Sequence, residues 1–441
     1  MFAKKTFPGG SHPPTNKRRT QASMIQDMPL PQRVVIPLHQ HTGAPAQPIV
    51  AVGDEVKAGQ KIGEAQGYVS VPVHASISGK VTAIEPHLHP LGGQLPAVII
   101  EGDGRDTWLE QPGEARQTSQ SDSKAMVEAI REAGIVGLGG AAFPTHVKLS
   151  PPEGKSIDTF ILNGAECEPY LTADHRLMVE NTEEIVAGAK IILNILNCHR
   201  GIIGIEANKP DALAAMRERT RQEKELEVVA LQVKYPQGAE KQLIWAITKR
   251  EVPSGGLPMD IGCVVQNVGT AKAIFDAVVS GKPLVERVVS VTGPIVKEPK
   301  NLRVRIGTLF EELIQQTAGT VENPGKLIMG GPMMGLAQVS SQVPVIKGTS
   351  GVLLIPTDQA VIPEPQTCIS CARCVDTCPM KLVPTELGKL VQHSLFKEAE
   401  KLGVLDCMEC GTCSYICPSK INLVHLFKFA KAKILSEKRK K

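Results

Sequence analysis

The sequence carries the same cysteine run twice in its last quarter, and that repetition constrains the chain more than any other feature. CISCARCVDTCP supplies Cys368, Cys371, Cys374 and Cys378, followed by Pro379. CMECGTCSYICP supplies Cys407, Cys410, Cys413 and Cys417, followed by Pro418. Three thiolates spaced by two residues can wrap one iron–sulfur cube, while a fourth, three residues on and ahead of a proline, is directed away from it. Zinc sites use CxxC pairs rather than a four-cysteine run closed by proline. The opening stretch MFAKKTFPGGSHPP has no apolar signal core, so disulfides are not expected either. Two [4Fe-4S] clusters are the reading that remains.

Both runs resemble those of two-cluster ferredoxins, in which the fourth cysteine of one run serves the other cluster. That likeness implies Cys368, Cys371, Cys374 and Cys417 as one set, and Cys407, Cys410, Cys413 and Cys378 as the second. Between the runs, TELGKLVQHSLFKEAEKLG reads as helical. A segment of that length resembles the helical two-cluster ferredoxin domain built into larger oxidoreductases, expected here over residues 360–430. The other three cysteines, Cys167, Cys198 and Cys263, stand singly among apolar residues and read as buried thiols.

A chain of 441 residues has room for three or four domains. Its 42% hydrophobic and 21% charged residues are those of a globular protein. A net charge of +4 with 3% aromatic residues provides neither the basic stripe nor the stacking platform of a nucleic-acid binder, so no nucleic-acid partner is expected. The basic tail, residues 431–441, reads as solvated. Since no stretch approaches about 18 apolar residues, a cytoplasmic chain is expected, with membrane attachment only through a partner.

The organisation expected is that of a multidomain α/β and β chain. Residues 1–35 hold prolines at 8, 13, 14, 29 and 31 and no periodicity, which predicts an extended arm. From 36 to 107, short β runs such as VPVHASISGKVTAIE and AVIIEG alternate with turns. GDEVKAGQKI followed by ASISGKVTAI resembles the barrel-sandwich fold of lipoyl and biotinyl carriers. AQGYVSVPV stands where that family has its modifiable lysine, so the module is expected to be structural or a docking unit. Histidines 39, 41, 74, 87 and 89 within it have no ligand spacing and read as surface or turn residues.

Residues 108–121 are polar and predict a linker. From 122 to 286, helix and strand patterns alternate: helix SKAMVEAIREAG, strand DTFILNG, one long helix over RLMVENTEEIVAGAKIILNIL, then strands GIIGIEA and EVVALQV around helix DALAAMRERTRQ. This predicts a Rossmann-like parallel sheet. Residues 287–356 return to β with one helix and resemble the β-grasp soluble-ligand-binding domain.

Within the α/β domain, GIVGLGGAAFPTHVKL places Gly137, Gly139 and Gly140 where backbone amides can approach a phosphate, with Lys148 to supply charge. DTFILNG runs into AECEPYLTADHR, which sets Asn163, Glu166 and Glu168 at a strand's carboxyl end, where α/β folds bind ligands. VVQNVGTAKAI offers Asn267 and Thr270 just before a helix.

These three segments, with Tyr235, Gly238 and Glu240 in KYPQGAEKQ, resemble the flavin- and NADH-binding subunit of respiratory complex I in the same order. Leu138 and Ala239 depart from that pattern, which has an arginine and an acid at those places. Taken with the arm FPGGSHPP, PLHQHTGAPA and the two cysteine runs, nearly the whole chain resembles the RnfC component of the Rnf complex. The resemblance implies FMN and two [4Fe-4S] clusters, with NADH as substrate and the other subunits of a membrane-bound electron-transport complex as partners. It also implies a peripheral place on the cytoplasmic face of the membrane, and exchange with ferredoxin through those partners. A flavin is needed to divide the two electrons of NADH between one-electron clusters. On this reading Gly137, Gly139, Gly140, Lys148, Asn163, Tyr235, Gly238, Glu240, Asn267 and Thr270 hold cofactor, and Glu166 and Glu168 are catalytic. A flavin–iron–sulfur cobalamin reductase and a non-enzymatic relay and assembly subunit are the alternatives.

Overall fold

The computed structural model describes residues 4–109 and 122–439. Strands Thr159–Gly164, Gly201–Glu206, Leu226–Leu231 and Cys263–Asn267 form a fully parallel sheet. Their spatial order is third, second, first, fourth. The near-continuous apolar runs follow from burial on both faces, since side chains alternate across the sheet. Phe160, Leu162 and Val264 pack on one face with Ile192 and Ile274, from helices Thr182–Leu196 and Val268–Ser280. Ile161, Ile202 and Val265 pack on the other with Leu243 and Ile247, from helix Glu240–Thr248. The winding reverses between the first and fourth strands, where Asn163 and Asn267 are partners in register. That reversal opens a crevice at the strands' carboxyl ends.

The long helix expected over 176–196 is two helices, Ala173–Glu180 and Thr182–Leu196, broken at Asn181. Asn181 leaves helical geometry at φ −124° and ψ 37°. Asparagine tolerates this because its side chain competes for local hydrogen bonds, here to Glu184 Oε1 at 3.3 Å.

A six-stranded mixed sheet runs Ile25–Asp27, Lys300–Arg305, Glu286–Thr292, Gly351–Ile355, Lys326–Met329, Leu336–Gln338, with helix Phe310–Gln316 in the same unit. Two smaller sheets make the first module. Arg33–Pro37, Gln94–Gly102, Gly79–Leu88 and Glu55–Val56 form one, and Gln47–Pro48, Lys61–Glu64 and Val73–His74 the other. They enclose Val34, Ile36, Ile62, Val73, Val98 and Ile100.

Three expectations change. The arm is not merely draped: Lys5 bridges Leu231 at the edge of the parallel sheet, and Ile25–Asp27 adds a parallel strand beside Lys300–Arg305. Arg33–Pro37 already belongs to the first module. Sheet edges present unpaired N–H and C=O groups, and the arm fills them. Secondly, the expected linker begins too early. Trp108 bridges Ala58 and carries Lys282 and Arg305 at 5.2 and 5.1 Å from its ring centre, and the rest of the linker expected over 108–121, residues 110–121, lies outside the described residues. Thirdly, helix Leu423–Arg439 runs through the basic tail, burying Phe427, Ala430 and Ile434 while Lys431 Nζ donates to Cys407 O at 2.8 Å. Residues 440 and 441 of that tail lie outside the described residues. The helix between the cysteine runs is two, Pro384–Gln392 and Phe396–Lys401. No helix among the described residues is long and apolar enough to cross a membrane.

Candidate functional site

The glycine loop closes over the amino end of helix Val268–Ser280. Leu138 N–H donates to Thr270 Oγ1 at 2.9 Å, and Asn267 Oδ1 accepts from Gly269 N–H at 2.8 Å as the helix cap. A side chain at Gly139 would touch Asn267. Gly137 N–H donates to Phe143 O at 2.8 Å, which folds the loop back on itself. Gly140 sits at φ +108° with nothing within 4 Å of the position a side chain would take. It therefore leaves bare backbone beside open space near a helix amino terminus, a setting suited to an anion.

Asp174 completes this corner. Asn267 Nδ2 donates to its Oδ2 at 2.6 Å, and burial pushes the Asp174 carboxyl up to about 7. Glu166 is engaged locally: its oxygens accept from the N–H groups of Asp174 and His175 at 2.7 and 3.2 Å, at the start of helix Ala173–Glu180. Lys148 does not stand free beside the loop. It donates to Glu240 Oε1 at 2.6 Å and Val265 O at 2.9 Å.

On the other side of the crevice, Asn163 Nδ2 donates to Gly238 O at 2.8 Å, and Gly238 N–H points to Cys167 Sγ at 3.3 Å. Burial pushes the Cys167 thiol up to about 12, which keeps it inert. The neighbouring Gln237 amide is fully buried, and neither its nitrogen nor its oxygen has a protein partner. Buried polar groups are rarely left so. Bare glycine backbone on one side and unsatisfied amide groups in the Tyr235–Gly238 segment fit a ligand carrying both a phosphate and polar ring edges, as FMN does.

Glu168 leads out of the crevice. Its oxygens accept from the N–H groups of Met333 and Met334 at 3.2 and 2.8 Å, in the following domain, and lie 3.5 Å from the Tyr235 hydroxyl. Burial pushes this carboxyl up to about 7, against the pull of those donors. Tyr235 in turn donates to Cys410 O at 2.9 Å. The structure thus joins Glu168, Tyr235 and the second cysteine run.

The eight cysteines segregate. Cys368, Cys371, Cys374 and Cys417 line one pocket. Burial, then the neighbouring Cys417, Cys371 and Cys368, raise the Cys374 thiol. Burial pushes Cys413 up to about 12, with Cys410, Cys407 and Cys378 adding to it. Crowded thiolates are unfavourable by themselves and are stabilised by bound iron, which suits both sets to clusters. Among the described residues, no three metal-binding side chains converge closely enough to hold a single ion.

The first module clasps the glycine loop. Thr42 N–H and Oγ1 donate to Ala142 O and Ala141 O at 3.1 and 2.9 Å, and His146 Nε2 donates to Tyr68 O at 3.0 Å. The hairpin that holds AQGYVSVPV therefore docks here. His41 and His89 use both ring nitrogens in hydrogen bonds within the protein.

Four residues of the site escape sequence reasoning. Asp174 has a signal, an acid in the first turn after the acidic loop. Lys17, in the unpatterned arm, has none, yet its Nζ donates to the carbonyls of Glu166, Glu168 and Leu171. Lys209 Nζ, fully buried, donates to Ala165 O at 2.6 Å. Lys347 Nζ, also buried, joins three domains by donating to Pro72 O and Gly134 O at 3.0 and 2.7 Å.

Four family models match the chain. An RnfC barrel sandwich hybrid domain matches residues 5–105, a Nuo51 FMN-binding domain 130–276, an SLBB domain 288–337 and a 4Fe-4S dicluster domain 360–418. The chain is 50% identical to the C component of the proton-translocating ferredoxin:NAD(+) oxidoreductase complex of Clostridium ljungdahlii, across 91% of this chain and 88% of that protein. It is 47% identical to the Na(+)-translocating counterpart of Acetobacterium woodii, across 99% of this chain and 98% of that protein. Among solved structures, an NAD+-reducing [NiFe]-hydrogenase in its H2-reduced state superposes with a TM-score of 0.50 at 17% identity, over 73% of this chain and 65% of that one, a likeness of fold alone. On these identities over nearly its full length, the chain belongs to the RnfC family, the C components of the ion-translocating ferredoxin:NAD(+) oxidoreductase complexes.

Proposed function

We propose that this chain oxidises NADH as the cytoplasmic-face, peripheral subunit of a membrane-bound complex, exchanging electrons with ferredoxin through partner subunits. It is an oxidoreductase subunit with FMN and [4Fe-4S] cofactors. The FMN phosphate would be held at Gly137, Gly139 and Gly140, with Asn267 and Thr270 fixing the loop. Asn163, Tyr235 and Gly238 would border the flavin ring. Lys148 and Glu240 would brace the crevice floor through their ion pair, and Glu166 would act by holding the helix that carries Asp174. Glu168 would face the nicotinamide side. Cys368, Cys371, Cys374 and Cys417 would hold one cluster, and Cys407, Cys410, Cys413 and Cys378 the other. A bound flavin takes up hydride and gives up electrons singly, which is the conversion that NADH and iron–sulfur groups require of each other.

The observation that carries this reading is the hydrogen bond from Tyr235, at the crevice, to Cys410 of the second run. It supports one continuous unit of nucleotide crevice and cluster. The test is anaerobic: reconstitute the full chain with FMN, iron and sulfide, add NADH, and follow flavin absorbance near ~450 nm. Bleaching is expected, and its absence would refute NADH oxidation by this chain.

A further inference from the structure

We propose that Gly9, Gly10 and Ser11 of the arm are positioning residues for the second iron–sulfur group, fixing the backbone of Cys378 against the segment that carries Tyr235. The inference rests on the assignment of Cys378 to the second cysteine set.

The arm lies between two segments here and bonds to both. Ser11 and Tyr235 exchange both of their backbone hydrogen bonds, each at 2.8 Å. On the opposite side, Gly10 N–H donates to Thr377 O at 2.8 Å, and Thr377 Oγ1 donates back to Gly10 O at 2.9 Å. The glycines make this sandwich thin enough. Both have positive φ, at +73° and +83°, and a side-chain carbon at Gly9 would stand 2.9 Å from Cys378 O. At Gly10 it would stand 2.7 Å from Tyr235 O. Contacts that close need backbone without Cβ, so any other residue pushes the cysteine loop away from the flavin domain.

The strap is anchored upstream. Lys5 N–H donates to Ala230 O at 3.2 Å and its carbonyl accepts from Gln232 N–H at 2.9 Å. Phe7 is buried, with Lys234 donating to its carbonyl at 2.8 Å and lying 4.6 Å from its ring centre. Tyr235 is therefore tied twice to the second set: through its own hydroxyl to Cys410, and through the arm to Thr377 and Cys378. Cys368 and Cys371 of the first set are exposed. The thickness of the arm sets how far the second group stands from the crevice.

The experiment uses the full chain reconstituted with iron, sulfide and FMN, as Gly10→Val, Thr377→Val and Thr377→Ser. Each cluster's paramagnetic resonance signal and midpoint potential are recorded, and signals are assigned with Cys371→Ala and Cys413→Ala. Gly10→Val is expected to shift the g values and potential of the second cluster and leave the first unchanged. Thr377→Val, which removes one hydroxyl and should fold normally, is expected to shift them less, and Thr377→Ser to restore them. Unchanged signals from both clusters in Gly10→Val and Thr377→Val would overturn the arm's role. A shift confined to the first cluster would instead overturn the assignment of Cys378, and the inference with it.

Discussion

The Tyr235 hydroxyl donates to the Cys410 carbonyl oxygen at 2.9 Å, across 175 residues of sequence. Burial drives the Tyr235 pKa far upward, so the hydroxyl keeps its proton and remains a donor at any working pH. A neutral dipole thus points at the backbone of a cysteine expected to hold iron. Dipoles of this kind around the sulfurs tune cluster potentials.

Replacing Tyr235 by Phe keeps the ring and deletes the dipole. Cys410 O is then left without this donor in a buried setting, at a cost of about 1–3 kcal/mol. Chemical denaturation is expected to read that loss. Redox titration is expected to show a shifted potential for the second cluster and an unchanged one for the first. Equal potentials in variant and parent would mean that the bond serves stability alone.

Cys378 and Cys417 allow a crossed test. Cys417 lines the pocket of Cys368, Cys371 and Cys374, whereas Cys378 acts on Cys407 and Cys413. Cys378→Ala is expected to abolish or perturb the second cluster's resonance signal, and Cys417→Ala the first. The reverse pattern would assign each fourth cysteine to its own run.

What was legible in the sequence is what short spacings encode. GIIGIE is buried at every position and forms an interior parallel strand, and the cysteine runs stand out by their spacing and closing prolines, while the crossing of their fourth cysteines is what the resemblance to two-cluster ferredoxins implies. Pairings between distant segments carry no such period. Lys148 and Glu240 are 92 residues apart, and Glu168 reaches Met334 across 166. Glu166 shows how one signal supports two readings: an acid at a strand end suits a ligand, and an acid ahead of a helix suits its amino terminus. The backbone at φ +46° turns it towards the helix. The arm was hidden for another reason. It joins sheet edges through backbone groups, which every residue has, so its side chains need show no alternation.

Glu168 predicts a pH dependence. Its carboxyl titrates at about 7 in the folded chain against an ordinary value of 4.5. The folded state therefore holds the extra proton between these values. The stability this contributes is complete below the ordinary value and is lost as pH rises through about 7. Glu168→Gln cannot titrate, so its unfolding free energy should fall less steeply over that window than the parent's. Asp174, also pushed up to about 7, leaves a slope of its own in both proteins, and the difference isolates Glu168. Identical slopes would place the titration elsewhere.

Lys17 predicts how far the acidic loop depends on the arm. Its buried ammonium donates to the carbonyls of Glu166, Glu168 and Leu171 at 2.9, 2.8 and 2.5 Å. Burial lowers its pKa, while the nearby Glu166 carboxylate favours the charge. Lys17→Met preserves the aliphatic stem and leaves all three acceptors unpaired, which should cost on the order of 3 kcal/mol. The carboxylates of Glu166 and Glu168 hang from the same loop, so flavin content after gel filtration should fall with stability. Lys17→Arg should not restore either, because a planar fork cannot aim three donors at carbonyls clustered around one point. A loss below about 1 kcal/mol in Lys17→Met would mean that water replaces the ammonium, and that the loop holds its shape without the arm.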